Sequence, residues 1–386
     1  MGDIQERDHL NIAMIGHKLV PSRDGGVEVV VGELSTRLVA LGHQVTCYNR
    51  RGRYLGEDSF GSHGMKEYQG VRLRYMPTLR QKGFAAFSSS FFGAFCCAVG
   101  KYDVVHFHAE GPSAMCWLPK LFGKRIVVTI HGLDHQRAKW GWFARKFIHV
   151  GEMAAARWAD EIIVLSRGVQ QYFRDEYGRE TCFIPNGVTR PNPREADLIR
   201  LQWGLERNSY ILFLGRIVPE KGAQYLIEAF QNVRTDKKLV IAGGSSDTGR
   251  FLSELQGMAA DDPRILFTGF VQNGALAELY SNAYLYVLPS DLEGMPLSLL
   301  EAMSYGNCCL VSDIAECTEV VENKAFTFRK GDIADLHDRL QFLCDHPDMV
   351  ETCRAESADF ICGKYHWDEV VAQTLELYYG EGSVGE

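Results

Sequence analysis

The chain has 386 residues, 46% of them hydrophobic, which is typical of a soluble globular α/β protein and long enough for two domains of ordinary size. Its 11 cysteines lack paired C-x-x-C spacing, its first residues are acidic, and no apolar run approaches ~20 residues, which argues against a disulfide framework, a zinc site, a signal peptide and a spanning helix. The net charge of −8 hides an asymmetry, because residues 1–190 carry 25 basic and 18 acidic side chains, whereas the remainder carries 16 and 31.

The first domain opens with the strand, loop and helix order of an α/β protein. Residues 11–16 are predicted as a buried strand, and residues 27–41 as an amphipathic helix. The loop between them carries Gly25 and Gly26. Paired glycines let a backbone approach a ligand phosphate closely, although many ordinary turns use them too. The dinucleotide fingerprint G-x-G-x-x-G is absent, which disfavours a dehydrogenase.

Two stretches of the first domain are rich in aromatic residues. Residues 80–99 have a basic start and five phenylalanines; a core-packed helix is the simpler interpretation, and a helix on a membrane surface is the alternative. Arg137–Phe147 interleaves aromatic side chains with cations, which favours an interfacial helix on an anionic membrane. A helix that packs its aromatic residues inward fits the same pattern. The positive first half suits the membrane interpretation, but a drift of surface charge explains it equally well.

One buried strand of the first domain ends in a polar segment. Residues 125–130 are predicted as a strand, and His131-Gly132-Leu133-Asp134 follows at its carboxyl end, where α/β sheets place ligands. His131 is therefore expected to be a site residue. Residues 189–196, rich in Pro, Asn and Arg, have the composition of a linker between two domains.

The second domain repeats the pattern with a more informative loop. A strand over residues 210–214 is followed by Gly215–Gly222, in which Arg216 and Lys221 lie five residues apart. A guanidinium can grip a phosphate with two hydrogen bonds, and an ammonium adds a compact point charge. The loop therefore predicts a diphosphate site, with two solvated surface cations as the alternative.

The stretch from Leu288 to Met303 is the most informative in the chain. A short buried strand ends in a loop that carries Glu293, and a helix follows in which Pro296 suits the first turn. The amide groups at such a helix start attract anions, phosphate above all. Glu301 lies on the helix with seven residues between it and Glu293. This spacing indicates a nucleotide-sugar site framed by two carboxylates.

These motifs resemble the family-four retaining glycosyltransferases of bacterial type, which have the GT-B fold. The likeness rests on G-R-x-x-P-E-K-G at residues 215–222 and on the two glutamates within residues 289–303. It is extended by H-G-x-D at residues 131–134, by I-P-N-G-V at residues 184–188 and by the Gly25-Gly26 loop.

The resemblance implies two Rossmann-like domains facing across a cleft. Residues 1–190 would form the acceptor-side domain and residues 191–365 the donor domain, with a last helix over residues 366–380 packing back on the first. One departure from the family pattern is Met295-Pro296, where the family often has Phe-Gly. Because proline lacks an amide hydrogen, this loop has one donor fewer.

The resemblance also implies roles for individual residues. Arg216 and Lys221 would bind the donor diphosphate, Glu293 would bind the donor sugar, and His131 would lie over that sugar. These four form the expected catalytic set. The expected donor-binding residues are Gly25, Gly26, Gly215, Phe270, Val271, Gly294, Met295, Pro296, Leu297 and Glu301, the last on the ribose. Asp134 and Asn186 are expected to contact the sugar or the acceptor.

The implied function is transfer of a sugar, preferably from UDP, to a glycan or lipid-linked acceptor in cell-surface polysaccharide synthesis. Front-face attack with retention is expected, without a metal or another cofactor. A nucleotide-sugar epimerase on the same fold and a non-catalytic nucleotide-binding protein are the alternatives. A lipid-pyrophosphate acceptor would place a cytoplasmic enzyme on the inner face of the membrane. Nucleic acid is not expected as a partner.

Overall fold

The computed structural model describes residues 9–51, 64–78, 84–133, 135, 141–244 and 249–380. The chain divides into two compact units. Unit 1 comprises Met1–Asn186 and Trp367–Glu386, and unit 2 comprises Gly187–His366. The chain first passes from unit 1 to unit 2 between Asn186 and Gly187, within the Pro-Asn-Gly segment. The linker-like residues 189–196 follow shortly after this point.

Unit 1 is built on an eight-stranded sheet. Its strands are β1 Asn11–Ile15, β2 Gln44–Arg50, β3 Glu67–Tyr68, β4 Val71–Met76, β5 Val104–His108, β6 Arg125–Ile130, β7 Glu161–Val164 and β8 Cys182–Phe183. Their order across the sheet is β3-β4-β2-β1-β5-β6-β7-β8, and each neighbouring pair is parallel except β3 with β4. The strands are apolar along most of their length because helices cover both faces of such a sheet.

The described helices of unit 1 include one from the far end of the chain. They are α1 Gly26–Ala40, α2 Phe84–Val99, α3 Glu110–Ser113, α4 Trp117–Leu121, α5 Trp142–Trp158, α6 Arg167–Tyr177 and, last in the chain, α15 Trp367–Tyr379. Helix α15 packs on α1 and β6. Arg125 Nε donates to the Leu377 carbonyl oxygen at 2.6 Å, and the Tyr378 hydroxyl lies 2.6 Å from His106 Nδ1.

Unit 2 is built on six parallel strands in the order β11-β10-β9-β12-β13-β14. The strands are β9 Tyr210–Leu214, β10 Lys238–Ala242, β11 Ile265–Gly269, β12 Leu285–Leu288, β13 Cys309–Ser312 and β14 Phe326–Phe328. The helices are α7 Leu198–Trp203, α8 Ala223–Gln231, α9 Gly249–Met258, α10 Asn273–Asn282, α11 Leu297–Ser304, α12 Ala315–Val321, α13 Ile333–Asp345 and α14 Pro347–Lys364.

The strand order places a switch point in each sheet. In unit 2 the chain adds β10 and β11 on one side of β9 and then returns to add β12 to β14 on the other. The loops after β9 and β12 therefore leave neighbouring strands in opposite directions, which opens a crevice at their carboxyl ends where such sheets bind ligands. Unit 1 has the same arrangement at β1 and β5.

Helix α2 differs from the simpler sequence interpretation. Phe87, Phe91, Phe92 and Phe95 are between 39% and 51% exposed, so the expectation of a core-packed aromatic helix is wrong for these side chains. The small residues of the helix face the sheet instead, with Ala94 and Cys97 fully buried. Among the described residues, no helix is both long enough and apolar enough to cross a bilayer.

Candidate active site

The loop after β9 is held by its neighbours in the sheet. The Gly215 amide donates to the Ala242 carbonyl oxygen at 3.0 Å, and the loop closes in a short 3-10 turn over Pro219–Lys221. Gly222 ends this turn at φ +71°, a backbone conformation that favours glycine. A Cβ atom at Gly222 would lie 1.9 Å from the Pro289 carbonyl oxygen. Glycine is therefore required for the loop to contact the end of β12.

Further hydrogen bonds join the two loops at this switch point. The Asp291 amide donates to the Glu220 carbonyl oxygen at 2.9 Å, and the Tyr225 hydroxyl donates to Asp291 Oδ2 at 3.0 Å. Ser312 Oγ donates to the Ser290 carbonyl oxygen at 2.6 Å. Side chains of the two loops are therefore fixed close to one another, although the loops lie about 70 residues apart in sequence.

Helix α11 begins one residue later than expected. Pro296 precedes it as the N-cap residue, with φ −76° and ψ 99°, so it does not lie in the first helical turn. The amides of Leu299 and Leu300 donate to the Pro296 carbonyl oxygen, which leaves the amides of Leu297 and Ser298 outside the intrahelical pattern. The loop that carries Glu293 and Gly294 leads directly into this helix start.

Lys221 and Glu293, two predicted catalytic residues, contact each other directly. Lys221 Nζ lies 2.5 Å from Glu293 Oε1 and 2.7 Å from Oε2, and Ser290 Oγ donates to Oε1 at 2.6 Å. The two charged side chains are only 14% and 7% exposed. A mostly buried ion pair with an additional hydrogen bond has a defined geometry, so both groups are held at the carboxyl ends of β9 and β12.

Arg216 differs from Lys221 in its environment. It is half-buried, and among the described residues its guanidinium has no hydrogen-bond or ion-pair partner. All five of its N–H donors are therefore available to an anion within the same loop as Lys221.

The other predicted donor residues of unit 2 are more widely spread. Glu301 lies on α11, and Tyr280 donates its hydroxyl to Glu301 Oε2 at 3.2 Å. Met295 is buried beside the start of this helix. Phe270 and Val271 follow β11, which is the edge strand two positions from β9.

In unit 1, His131 belongs to a row of histidines. Its Nε2 lies 3.1 Å from His108 Nδ1, and His108 stacks on His106 with ring centroids 4.1 Å apart. His106 Nε2 contacts Thr129 Oγ1 at 2.7 Å. Burial lowers the pKa of His106 to about 3 and that of His108 well below its usual value, with the neighbouring imidazoles adding to the effect. These two rings are therefore neutral.

His106 and His108 were missed in the sequence, although a signal was present. They flank Phe107 in β5, and side chains two residues apart in a strand share a face. Ser290 and Tyr225, which hold the site loops of unit 2, were also missed. Only Ser290 had a local signal, because it directly follows Pro289 at the end of the predicted strand.

The remaining predicted residues lie in unit 1. Gly25 is the N-cap of α1, and a Cβ there would lie 2.5 Å from Glu28 Oε2, so the nearest described charge at this helix start is negative. Asn186 is buried at the end of the first segment of unit 1. Asp134 lies outside the described residues, as do residues 137–140 of the predicted interfacial segment.

Comparison with known proteins assigns the chain to a family. Residues 24–190 match the family model described as Glycosyltransferase Family 4, and residues 208–346 match the model described as Glycosyl transferases group 1. The first match spans β2 to β8 of unit 1, and the second spans all six strands of the unit 2 sheet. The chain belongs to the family-four glycosyltransferases.

Two relatives of this family-four glycosyltransferase show the extent of the similarity, and the second has a name that states its donor and acceptor. An uncharacterized glycosyltransferase of Methanocaldococcus jannaschii is 26% identical, with 96% of this chain and 98% of that protein covered. The UDP-Gal:alpha-D-GlcNAc-diphosphoundecaprenol alpha-1,3-galactosyltransferase of Escherichia coli is 29% identical over 58% of this chain and 61% of its own length.

The crystal structure of HepE from Anabaena in complex with UDP and glucose shares the fold. Its TM-score is 0.80 at 16% identity, with 96% of this chain and 100% of that chain covered. The family-four glycosyltransferase therefore has the GT-B fold, with two α/β units whose sheets are parallel except for the β3–β4 pair, as expected from the sequence. The epimerase and the non-catalytic alternatives are not favoured, because the matching family models are those of glycosyltransferases.

Proposed function

We propose that this glycosyltransferase moves a sugar from UDP, with retention of the anomeric configuration, to a glycan or lipid-linked acceptor in cell-surface polysaccharide synthesis. One observation carries the proposal: Lys221 and Glu293 form a mostly buried ion pair at the switch point of unit 2, in the same loop system as Arg216. There the ammonium contacts the carboxylate at 2.5 Å, and the guanidinium of Arg216 has no described partner. Cations and a carboxylate at one strand end suit a diphosphate attached to a hydroxyl-rich sugar.

The proposed chemistry follows from these charges. The acceptor hydroxyl oxygen bonds to the anomeric carbon on the face from which the diphosphate leaves, while the bond between that carbon and the diphosphate oxygen breaks. The hydroxyl proton passes to the departing diphosphate, on which negative charge develops. Lys221 stabilises that charge because Glu293 already holds it in position. Arg216 adds the N–H donors of its guanidinium from the same loop. Glu293 holds Lys221 in place before the donor arrives and accepts hydroxyl protons of the sugar in hydrogen bonds once it has bound.

The choice of UDP and of the acceptor is supported by relatives. HepE was crystallised with UDP and glucose, and the E. coli relative is named for a UDP-galactose donor and a diphosphoundecaprenol-linked acceptor. The roles predicted for Gly25, Gly26, Asn186 and His131 of unit 1 stay predictions. Because Arg216 and Lys221 neutralise the diphosphate, we propose that added Mg²⁺ does not raise turnover.

The deciding experiment removes each charge of the pair separately and then both together. Lys221→Met and Glu293→Gln are each expected to lower kcat by about 10²–10³-fold, the usual cost of losing one charge-stabilising group. Each single variant leaves a mostly buried charge without its partner and is expected to lose stability. The double variant removes both charges, so it should recover stability but not activity.

Turnover is measured as UDP release from a panel of UDP-sugars with acceptor, and the fold is followed by thermal unfolding. If Lys221→Met and Glu293→Gln both retain near-normal turnover, the proposal is wrong. If the double variant recovers activity together with stability, the pair is structural only. Retention is tested separately by the anomeric proton coupling of the product, where inversion would overturn the front-face mechanism.

Membrane attachment is a further part of the proposal. Of the 17 large hydrophobic side chains that are exposed among the described residues, 11 belong to α2, α4 with the residue after it, and α5. We call these residues the aromatic face: Phe87, Phe91, Phe92, Phe95, Val99, Trp117, Leu121, Phe122, Trp142, Val150 and Met153. Helix α4 packs against both α2 and α5, and the rings of Phe87 and Phe147 are 5.6 Å apart, so the three helices that carry the aromatic face are neighbours in unit 1.

The charges around the aromatic face favour an anionic lipid surface. Helices α2 and α4 carry no acidic residue, and the single acidic residue of α5, Glu152, is fully buried. Exposed Trp142 lies beside Lys146, whose Nζ is 4.0 Å from the centre of the indole ring. An apolar surface with cations and without exposed carboxylates is the composition of an interfacial membrane helix.

A further inference from the structure

A buried carboxylate outside the proposed active site is surrounded by histidine and tyrosine. Glu152 lies on α5, and its side chain is 0% exposed. His135, from the segment that follows β6, places Nδ1 2.8 Å from Oε1, and His149, one helical turn before Glu152, places Nδ1 3.1 Å from Oε2. Tyr172 and Tyr177 of α6 donate their hydroxyls to Oε2 at 3.0 and 2.8 Å.

No lysine or arginine among the described residues balances the charge of Glu152. Its ion-pair partners among the described residues are the two imidazoles alone. A fully buried carboxylate needs charge compensation as well as hydrogen bonds, since its transfer out of water costs several kcal/mol. An imidazole supplies a full positive charge only when protonated, whereas a divalent cation bound by two neutral imidazoles supplies it at neutral pH.

The distances suit a small transition-metal ion. One ligand atom from each of His135, His149 and Glu152 lies within 4.8 Å of the other two. In a tetrahedral zinc centre with bonds of about 2.0–2.1 Å, the ligand atoms stand roughly 3.3 Å apart. The Nδ1 to carboxylate distances of 2.8 and 3.1 Å are close to this spacing. The two imidazole rings are stacked with their centroids 4.6 Å apart, so at least one ring must turn for both Nδ1 atoms to point at the same ion. Two histidines and one glutamate are also a ligand set that zinc takes in proteins.

The surroundings supply the other features that a metal site requires. Tyr172 and Tyr177 fix the orientation of the carboxylate by hydrogen bonding, as outer partners of ligating carboxylates do. The His149 side chain is 47% exposed and that of His135 is 16% exposed, so an ion can enter from solvent at this edge.

We propose that His135, His149 and Glu152 bind a divalent transition-metal ion such as Zn²⁺. The ion links the segment after β6 to α5, and through the two tyrosines to α6. His131 lies four residues before His135, so the ion fixes the segment that carries a predicted active-site histidine. This site is structural and separate from the sugar transfer proposed for unit 2, and it does not depend on that proposal.

The test uses the full-length chain stripped with a chelator and titrated with Co²⁺, whose visible absorption reports the geometry of its ligands. We expect one Co²⁺ per chain with absorption typical of a four-coordinate nitrogen and oxygen site, displaced by Zn²⁺. Zn²⁺ should also raise the thermal midpoint of the stripped protein, because an ion that binds only the folded state stabilises it.

Matched variants distinguish the site from adventitious binding. His149→Ala removes a ligand and should weaken Co²⁺ binding by more than about tenfold. Tyr177→Phe should weaken it by about 10–100-fold, the usual cost of removing an outer hydrogen bond. His337→Ala is the control, because His337 pairs with the single carboxylate of Asp338 on the surface of unit 2. It should bind Co²⁺ as the unaltered protein does.

The readout needs no nucleotide sugar, so its failure leaves the proposed transferase function standing. His149 is half-exposed, so its alanine variant is expected to fold. If the unaltered chain shows no saturable Co²⁺ or Zn²⁺ binding, or if His149→Ala binds as tightly as the unaltered chain, the cluster is a hydrogen-bonded anchor and the proposal is wrong.

Discussion

Gly222 combines two geometric requirements in one residue. Its φ of +71° is unfavourable for any residue with a Cβ atom, and such an atom would also lie 1.9 Å from the Pro289 carbonyl oxygen. The absence of a Cβ atom also matters for the site, because the close approach of this turn to the end of β12 brings Lys221 to Glu293.

We predict that Gly222→Ala lowers both stability and turnover. The left-handed backbone alone costs about 1–2 kcal/mol, and the clash with backbone adds to it. Gly331→Ala is a matched control, because Gly331 has φ +70° in the same unit and open space where a Cβ atom would lie. Urea unfolding should show the larger loss for Gly222→Ala, and turnover should fall only in that variant. Equal losses of stability would mean that the contact with Pro289 is unimportant.

Buried histidines make the stability of unit 1 depend on pH. Burial lowers the pKa of His17 to about 4 and that of His106 to about 3. Both imidazoles stay neutral in the folded state, whereas in the unfolded chain they take up protons near pH 6.5. Falling pH therefore favours the unfolded state, from about pH 6.5 down to the folded pKa values.

The free energy of unfolding is expected to fall by about 1.4 kcal/mol per pH unit for each of these histidines between pH 6 and 5. Denaturant unfolding followed by tryptophan fluorescence measures it, since Trp203 is the one tryptophan of the sequence that lies in unit 2. A constant stability from pH 7 to pH 5 would contradict the neutral state of these rings.

At the scale of an element, the two faces of helix α2 differ in residue size and in exposure to solvent. Its small residues pack against the sheet, and Phe87, Phe91 and Phe95 form an exposed row at four-residue spacing. The side chains of this row are large, apolar and close together, so they are the most direct test of membrane attachment.

We predict that the double variant Phe91→Ser with Phe95→Ser binds anionic phospholipid vesicles more weakly, by roughly tenfold for each ring removed. Burial of one such side chain in the membrane contributes about 1.5 kcal/mol to the binding free energy. Flotation at low salt measures the binding, and circular dichroism checks the fold. Leu201→Ser is the matched control, because Leu201 is 82% exposed on α7 of unit 2. If the unaltered chain does not float with vesicles at low salt, the membrane proposal fails.

At the scale of the molecule, each unit has its own hydrophobic core. One core joins the strands and helices of unit 1, and the other those of unit 2. Domains with separate cores can unfold as separate steps, so a single free energy of unfolding need not describe the chain.

We predict that UDP slows hydrogen exchange in unit 2, at residues 215–222 and 289–304. A ligand at 100 times its Kd stabilises the state that binds it by about 2.7 kcal/mol. Hydrogen exchange with mass spectrometry resolves the two units, and the Lys221→Met variant provides the control in which protection should fall. Protection confined to unit 1 would place the nucleotide elsewhere and contradict the proposed site.

The sequence predicted local elements well because their signals are local. Strands such as Arg125–Ile130 and Tyr210–Leu214 are mostly apolar runs with turn residues near their ends, and the structure confirms both. The Lys221–Glu293 contact was not predicted, although both residues were named, because it joins positions 72 residues apart through the order of β9 and β12. The exposure of Phe91 was also missed, since an aromatic helix has the same composition whichever face it buries.

Unit 1 is discontinuous along the chain, and this has a consequence for synthesis on the ribosome. All of unit 2 emerges before Trp367, so the later unit can finish folding while the earlier one still lacks its last helix. Until that helix arrives, His106 is without the Tyr378 hydroxyl and Arg125 is without the Leu377 carbonyl. Unit 1 with its sheet complete but its last helix absent is therefore the nascent species that a chaperone would need to shield.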